Sequence, residues 1–125
     1  MVLGLGTDLI EIERIRQSLE RFGERFMRKV FTHGEIAYCQ QKKHGAESFA
    51  ARFAAKEAAA KALGTGISRG IGWQDIEVRR VPGERPTLHL SGRAAERATA
   101  MGVRHLQLSL THNREIAMAV VVAEN

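Results

Sequence analysis

The 125-residue chain has few of the residues that build covalent scaffolds or stacking surfaces. Its single cysteine, Cys39, excludes an intrachain disulfide and a multi-cysteine zinc site, and its place within a helical segment predicts a buried thiol. Five phenylalanines, one tryptophan and one tyrosine are too few for an aromatic surface that stacks nucleic-acid bases. No apolar run reaches the roughly 20 residues that cross a bilayer. These absences favour a cytoplasmic protein that neither binds nucleic acid nor spans a membrane.

The charge balance of the chain indicates what kind of partner it meets. Nineteen basic and fourteen acidic residues give a net charge of +5, which favours an acidic protein, a phosphorylated ligand, nucleic acid or an anionic membrane surface. Charge alone does not choose among these four classes. The length is typical of one domain, so we expect a single domain over residues 1–125, and 44% hydrophobic residues are enough for an ordinary core.

Apolar periodicity predicts a strand, three helices, a hairpin, a fourth helix and a second hairpin. Thr32 and Glu35 have the spacing of a capping box, which predicts a helix start near residue 33, and Gly64 is placed to end the alanine-rich helix that begins at 47 or 48. The predicted strands span residues 2–7, 73–81, 87–90, 106–111 and 116–123, and the other helices begin near residues 11 and 93. This order predicts an α+β fold with a mainly antiparallel sheet packed against helices.

Two carboxylates, Asp8 and Glu57, are the strongest candidates for chemistry. Asp8 follows a short apolar strand, and Glu57 continues the helical stripe that Phe49 and Phe53 begin, so its charge requires a partner. A hard divalent cation shared by both residues would be one such partner. The alternatives are that Asp8 ends a strand and that Glu57 forms an exposed ion pair with Lys61 four residues later, worth about 0.2–0.5 kcal/mol.

Several basic residues have both a functional and an ordinary interpretation. Lys61 has the reach to meet a phosphate, and His112 lies between two predicted strands, but Arg52 and Lys61 are equally consistent with solvated helix charges, and His112 with a plain turn residue. The first helix has one apolar face and a basic remainder, which suits an acidic protein partner at least as well as nucleic acid. These residues alone leave a transferase, a nucleic-acid-binding module and a structural oligomerisation domain open.

Two long segments of the chain resemble the signatures of the bacterial holo-[acyl-carrier-protein] synthases, a family of phosphopantetheinyl transferases. They are residues 3–12, LGLGTDLIEI, and residues 52–67, RFAAKEAAAKALGTGI. Shorter likenesses in the same order are Phe31-Thr32 with Glu35, residues 74–78 and residues 108–112, so the resemblance spans essentially the whole chain. One departure is Arg85 in residues 83–86, GERP, where the family usually has Gly-Lys-Pro. The charge is kept, although arginine and lysine are not interchangeable in detail.

The resemblance implies a fold, a reaction and roles for individual residues. The fold would be that of the 4'-phosphopantetheinyl transferases, and the reaction would move the 4'-phosphopantetheine group of coenzyme A to a serine of apo acyl carrier protein in fatty acid biosynthesis. Adenosine 3',5'-bisphosphate would be released. Mg²⁺ would be held by Asp8 and Glu57, Glu57 or a water that it holds would take the serine proton, and Lys61 would stabilise the departing phosphate. The implied contacts for the nucleotide end of coenzyme A are Arg52, Arg85, Thr111 and His112.

The resemblance also implies partners. The family's small form is a homotrimer in which each coenzyme A lies between neighbouring subunits. The acyl carrier protein is acidic, and Arg14, Arg21 and Arg25 resemble the basic surface that meets it, an arrangement that speeds encounter and sets orientation.

Overall fold

The computed structural model describes all residues from 1 to 125, in five helices and five strands. In chain order these are β1 (Val2–Glu11), α1 (Ile12–Phe22), α2 (Glu24–Val30), α3 (His33–Gln40), α4 (Gly45–Ala62), β2 (Ile76–Arg79), β3 (Thr87–Leu90), α5 (Gly92–Met101), β4 (His105–His112) and β5 (Ile116–Glu124). A 3₁₀ turn, Trp73–Asp75, precedes β2. No helix is long and apolar enough to cross a membrane.

All strand pairing is antiparallel, which confirms the predicted α+β class. One sheet has the strand order β1-β5-β4, and β2 and β3 form a separate hairpin. The two edge strands are tied to the same central strand, since Asp8 on β1 pairs with Ala119 and Ala119 pairs with Leu110 on β4. The carboxylate Asp8 therefore lies in the same row as Leu110, two strands away, or about 9.5 Å across the sheet.

The alanine-rich helix α4 covers one face of this sheet at unusually short range. A Cβ atom added to Gly4 would lie 2.0 Å from the carbonyl oxygen of Ala62, and one added to Gly6 would lie 1.8 Å from that of Ala58. Only glycine on β1 lets the two backbones approach this closely. Most of the helix is consequently buried, including eight of its alanines: Ala50, Ala51, Ala54, Ala55, Ala58, Ala59, Ala60 and Ala62.

Several predicted boundaries differ from the structure for local reasons. The amide of Gly72 donates to the Asp75 carboxylate at 3.0 Å, which closes a turn where a strand from residue 73 was predicted. Gly23, at φ +54°, divides the expected first helix into α1 and α2. Strand β1 runs on to Glu11 although its second half includes Thr7, Asp8 and Glu11, because β5 supplies a hydrogen-bonded partner throughout.

The predicted helix caps are confirmed. The Thr32 hydroxyl accepts from the Glu35 amide while the Glu35 carboxylate accepts from the Thr32 amide, so both halves of the capping box form. Gly64 adopts φ +78° just after α4. Cys39 is fully buried, and burial raises the pKa of its thiol to about 12, so it is not a nucleophile.

Candidate active site

Asp8, Glu57 and Lys61 converge where β1 passes under α4. The Lys61 ammonium donates to the Thr7 carbonyl oxygen at 2.9 Å and to Asp8 Oδ1 at 3.2 Å. Glu57 is half-buried beside them, and burial raises the pKa of its carboxyl, with a further increase from the Asp8 charge and a partial decrease from Lys61. Two carboxylates that feel each other's charge thus lie beside one lysine, which contacts only Asp8.

The alternative of an exposed ion pair between Glu57 and Lys61 is not what the structure shows. The Lys61 ammonium does not lie within 4.0 Å of the Glu57 carboxylate and contacts Asp8 instead. Side chains four apart on a helix are neighbours, but the nearby strand offers Lys61 a carbonyl oxygen and a carboxylate together. Glu57 therefore keeps an acidic group without a compensating cation of its own.

This donor set fits a small hard cation. Only two protein carboxylates converge, and no group of three or more His, Cys, Asp or Glu side chains is arranged to hold a metal. Mg²⁺ is commonly bound through one or two carboxylates, with waters and phosphate oxygens completing its shell. Burial raises the pKa of Glu57 and the nearby Asp8 charge raises it further, and a divalent cation at these oxygens would favour the ionised carboxylate.

A second polar feature is a cavity of about 560 Å³ between α3, α4, the β2–β3 connection and the end of β4. Arg52 lies in its wall with only 4% of its surface exposed, and its guanidinium stacks 4.1 Å from the centre of the Tyr38 ring. The Nε atom of Arg52 is buried without a hydrogen-bond acceptor. The other ionisable groups of the wall are Lys42, Glu47, Arg80 and His112.

The charge and chemistry of this cavity suit an anion. Lys42, Arg52 and Arg80 outnumber the single carboxylate Glu47, which itself lies 3.7 Å from His112. The guanidinium of Arg52 donates only one long hydrogen bond, 3.4 Å to the Ser48 carbonyl oxygen, so its remaining terminal N–H groups can serve a phosphate. The cavity is therefore a phosphate-binding candidate, and a solvated Arg52 is excluded by its burial.

The structure brings together only part of the set predicted for the nucleotide end. Arg52 and His112 line the cavity, whereas Arg85 and Thr111 are exposed outside its wall. Asp8, Glu57 and Lys61 do not line it either. Sequence reasoning missed Tyr38, Lys42, Glu47 and Arg80, although the pair Arg79-Arg80 before a turn was a usable signal for Arg80.

The sequence matches the family model of the 4'-phosphopantetheinyl transferase superfamily over residues 4–121. The chain belongs to this superfamily. The match includes β1 with Asp8, all of α4 and the whole cavity wall.

The relatives of this transferase are holo-[acyl-carrier-protein] synthases, a group of enzymes within the superfamily. The chain belongs to this group and is therefore an enzyme. It is 50% identical over 125 residues to the synthase of Koribacter versatilis, covering 100% of both chains. The crystal structure of the Neisseria meningitidis synthase superposes with a TM-score of 0.90 at 32% identity over 100% of both chains. The Helicobacter pylori synthase in complex with coenzyme A gives 0.84 at 32% identity, covering 96% of this chain and 99% of that one.

The transferase also has a basic groove on its first helix. Arg14 and Arg21 line a surface groove of about 200 Å³ together with Gln17, Ser18 and Phe22, on the side of α1 away from the buried Ile12 and Ile15. Phe22 is 47% exposed and lies beneath the Arg21 guanidinium, 5.2 Å from its ring centre. Neither Arg14, Arg21 nor Arg25 has an acidic group within 4.0 Å, unlike Arg16 and Arg28.

Proposed function

We propose that this enzyme transfers the 4'-phosphopantetheine group of coenzyme A to a serine hydroxyl of apo acyl carrier protein, releasing adenosine 3',5'-bisphosphate. The observation that carries the proposal is the convergence of Asp8, Glu57 and Lys61 in a chain half identical to a holo-[acyl-carrier-protein] synthase. The carrier protein activated in this way would serve fatty acid biosynthesis in the cytoplasm. The whole chain acts as one domain, since its buried core is continuous from Ile10 to Ala123.

Asp8 and Glu57 are the protein ligands that would hold Mg²⁺. When bound, the ion neutralises charge on the pyrophosphate of coenzyme A. Asp8 lies within the ten-residue strand β1, its side chain is only 16% exposed, and Lys61 donates one hydrogen bond to it, so its oxygens are held in place. Glu57 is held by the buried helix α4.

Proton transfer and charge stabilisation fall to Glu57 and Lys61. The serine oxygen attacks the phosphorus that bears the pantetheine group, and the bond from that phosphorus to the nucleotide phosphate breaks. The serine proton passes to Glu57, directly or across one water, and the raised pKa of this carboxyl makes it a better acceptor than an ordinary glutamate. Lys61, half-exposed, donates to the departing phosphate oxygen.

The cavity around Arg52 would hold the nucleotide end of coenzyme A. Arg52 offers its guanidinium charge to a phosphate, with Lys42, Arg80 and His112 in the same wall. Arg85 and Thr111 would also contact the nucleotide, either once coenzyme A is bound or once a subunit interface has formed. Arg85 lies in the same β2–β3 connection as the cavity residues Pro82 and Gly83.

A homotrimer would complete the site. The sheet face turned away from α4 is apolar and uncovered: Leu5 is 61% and Leu9 is 60% exposed, and these residues pair with Val122 and Met118. Large exposed apolar residues on one sheet face mark an interaction surface. The carboxylate pair and the cavity lie at opposite edge strands of one sheet, so a neighbouring copy can bring its own carboxylates to the cavity.

The basic groove of α1 would receive the acidic carrier protein. Arg14 and Arg21 point from one face, Arg25 follows on α2, and the exposed Phe22 offers an apolar contact between charges. Charge complementarity of this kind accelerates encounter more than it adds affinity, and it weakens with salt.

The direct test is a transfer assay read by mass spectrometry. Purified enzyme, coenzyme A, Mg²⁺ and apo acyl carrier protein are incubated, and we expect the carrier to gain the mass of one phosphopantetheine on its serine. A chelator should abolish the gain, and added Mg²⁺ should restore it. Absence of any gain with several apo carrier proteins would reject the transferase proposal and favour a purely structural domain, while salt-sensitive binding to DNA or RNA without competition from coenzyme A would favour the nucleic-acid alternative.

A further inference from the structure

A buried ion pair, Lys56 with Glu35, lies outside the machinery described so far. Their charged atoms, Nζ and Oε1, are 2.7 Å apart, and both side chains are 0% exposed. Lys56 directly precedes Glu57 on α4, whereas Glu35 belongs to the first turn of α3. Burying an ammonium and a carboxylate requires that nearly all of their hydrogen bonds be formed in the protein.

Both partners are in fact fully engaged. The three N–H groups of Lys56 have three acceptors, namely the Glu35 carboxylate and the carbonyl oxygens of Trp73 and Ile76. Glu35 Oε1 also accepts from the Thr32 amide at 2.9 Å, and Oε2 accepts from the Val78 amide at 2.7 Å. One ion pair therefore connects α4 to the start of α3, to the 3₁₀ turn and to β2.

Helix α4 has particular need of such a connection. Its buried surface consists largely of alanine methyl groups, which are too short to interlock with a facing surface. The contacts of Gly4 and Gly6 with the backbone of α4 set how near the helix lies to β1, but backbone contact alone does not fix its rotation about its own axis. The long Lys56 side chain, anchored at three points outside the helix, restrains this rotation, and the ring contacts of Phe49 with Phe31 and of Phe53 with Trp73 add to the restraint.

The rotation of α4 decides where the reactive groups point. A rotation of about 10° moves an atom about 6 Å from the axis by about 1 Å. A displacement of this size at reacting groups can lower a rate by about 100-fold. Glu57 is one residue and Lys61 is five residues after Lys56. Both reactive groups therefore lie within about one and a half helical turns of the Lys56 anchor.

We propose that the Lys56–Glu35 ion pair is a positioning element that fixes the rotation of α4 and so aims Glu57 and Lys61 at Asp8. The inference rests on the proposed function of Glu57 and Lys61. Stability alone is a weak reason to retain a buried ion pair, since apolar groups of similar volume often serve as well. Neither residue touches the reacting groups, and their effect on catalysis passes through the helix.

The test compares Lys56→Met, Glu35→Gln and the double variant with the parent enzyme. Each is assayed well below its own melting temperature, and kcat is expressed per folded molecule from circular dichroism. We expect kcat to fall by roughly 10- to 100-fold in each single variant, KM for coenzyme A to stay within threefold, and the double variant to be no worse than the singles. Glu96→Gln removes one charge from an exposed pair 3.9 Å from Arg93 and is the matched control.

A second measurement does not depend on turnover. Backbone amide NMR shifts of Asp8, Glu57 and Lys61 should change in both single variants, although Asp8 lies on β1 and does not contact the pair, and Glu96→Gln should leave them unchanged. Normal kcat per folded molecule, or unchanged shifts at these residues, would overturn the proposal.

If the parent transfers no phosphopantetheine, the proposed function fails and the NMR shifts alone decide the positioning role. If Lys56→Met does not fold, Glu35→Gln, which keeps an oxygen for the Thr32 amide, carries both measurements.

Discussion

The basic residues of α4 differ in burial and in hydrogen-bond partners, and the surroundings of each explain the difference. Arg52 is buried against Tyr38, Lys56 is buried in an ion pair, and Lys61 is half-exposed with its ammonium on β1. For Lys56, burial lowers the pKa and the Glu35 carboxylate opposes that decrease. We therefore propose different roles for three basic residues within ten positions: anion binding for Arg52, positioning for Lys56 and catalysis for Lys61.

Removal of either carboxylate should separate chemistry from folding. We expect Asp8→Asn and Glu57→Gln to lower metal-dependent kcat by roughly 100-fold or more, because each would remove a proposed charged oxygen ligand and Glu57 is also the proposed proton acceptor. Transfer rates at several Mg²⁺ concentrations and thermal melts measure the two effects. Glu11→Gln, an exposed carboxylate on the same strand, is the control. Rates equal to the parent's in both variants would reject the ligand assignment.

At the scale of elements, the contact between β1 and α4 brings the two halves of the site together. Asp8 comes from the strand and Glu57 from the helix, and they meet because Gly4 and Gly6 leave no side chain between the two backbones. The hairpin β2–β3 and helix α3 support the other side of α4 through Glu35 and Lys56. Strand β1 and helix α4 therefore carry the candidate site residues, and α3 and the β2–β3 hairpin support α4.

A methyl group at Gly6 should be enough to push α4 from the sheet. Its Cβ would lie 1.8 Å from the Ala58 carbonyl oxygen, and neither backbone can yield without moving the helix. We expect Gly6→Ala to lower the free energy of unfolding by about 1–3 kcal/mol or more and to reduce activity further. Gly72→Ala is the control, since its φ is −99° and the nearest atom would be 4.0 Å away. Equal urea midpoints for the two variants would contradict the close-contact argument.

The Glu77 carboxylate links the hairpin to α3 in a pH-dependent way. Burial raises its pKa, but hydrogen bonds from the Thr32 hydroxyl and Arg79, together with the charges of Arg79 and Lys56, lower it below the ordinary value of 4.5. The unfolded chain therefore binds the proton first, and the stability from this group, complete above about pH 5, is lost as pH falls through the folded pKa.

Glu77→Gln should accordingly flatten the acid side of the stability curve. We expect a lower melting temperature than the parent near neutral pH and a smaller further decrease between about pH 5 and pH 3. Thermal melts at half-unit pH intervals measure this slope, with Glu84→Gln, an exposed carboxylate in the turn, as the control. A variant that loses stability in acid as steeply as the parent would show that other carboxylates set the acid limit.

At the scale of the whole molecule, two surfaces remain for partners. One is the apolar outer face of the three-stranded sheet, centred on Leu5 and Leu9, and the other is the basic groove of Arg14 and Arg21. They differ in chemistry: the first suits a second copy of the chain, and the second suits an acidic protein. The net charge of +5 favours the same acidic partner from a distance.

A charge on the outer sheet face should dissociate the proposed trimer. We expect Leu5→Lys to shift the molar mass measured by light scattering toward the 13.9 kDa of one chain and to abolish transfer, because each site would draw on two subunits. Thr87→Lys places the same charge on an exposed strand of the other sheet and should do neither. A parent enzyme that is already a monomer at working concentration would contradict the trimer.

Reversal of charge in the basic groove should affect only the carrier protein. We expect the double variant Arg14→Glu and Arg21→Glu to raise KM for apo acyl carrier protein about tenfold or more while KM for coenzyme A stays near the parent value. The same charge change at the exposed residues Arg93 and Arg104 is the control. Similar losses for both substrates would point to misfolding, and similar losses in the control would point to net charge alone.

The sequence by itself determined the element order, the helix caps and the family, because these depend on local spacing and on long ordered motifs. Thr32 with Glu35 predicted a capping box that forms, and residues 52–67 carried the resemblance that the family match confirms. It also named Asp8, Glu57 and Lys61, whose roles remain a proposal.

Only the tertiary structure decided how these groups interact. Lys61 turns to Asp8 instead of Glu57, Arg52 is buried with an unpaired Nε, and Lys56 meets a carboxylate twenty-one positions away. None of this follows from periodicity, since it depends on which strand, loop or helix lies beside each side chain. The packing of segments distant in sequence decides which side chains are buried and which partners they contact. Residues of the same type therefore differ in their chemistry.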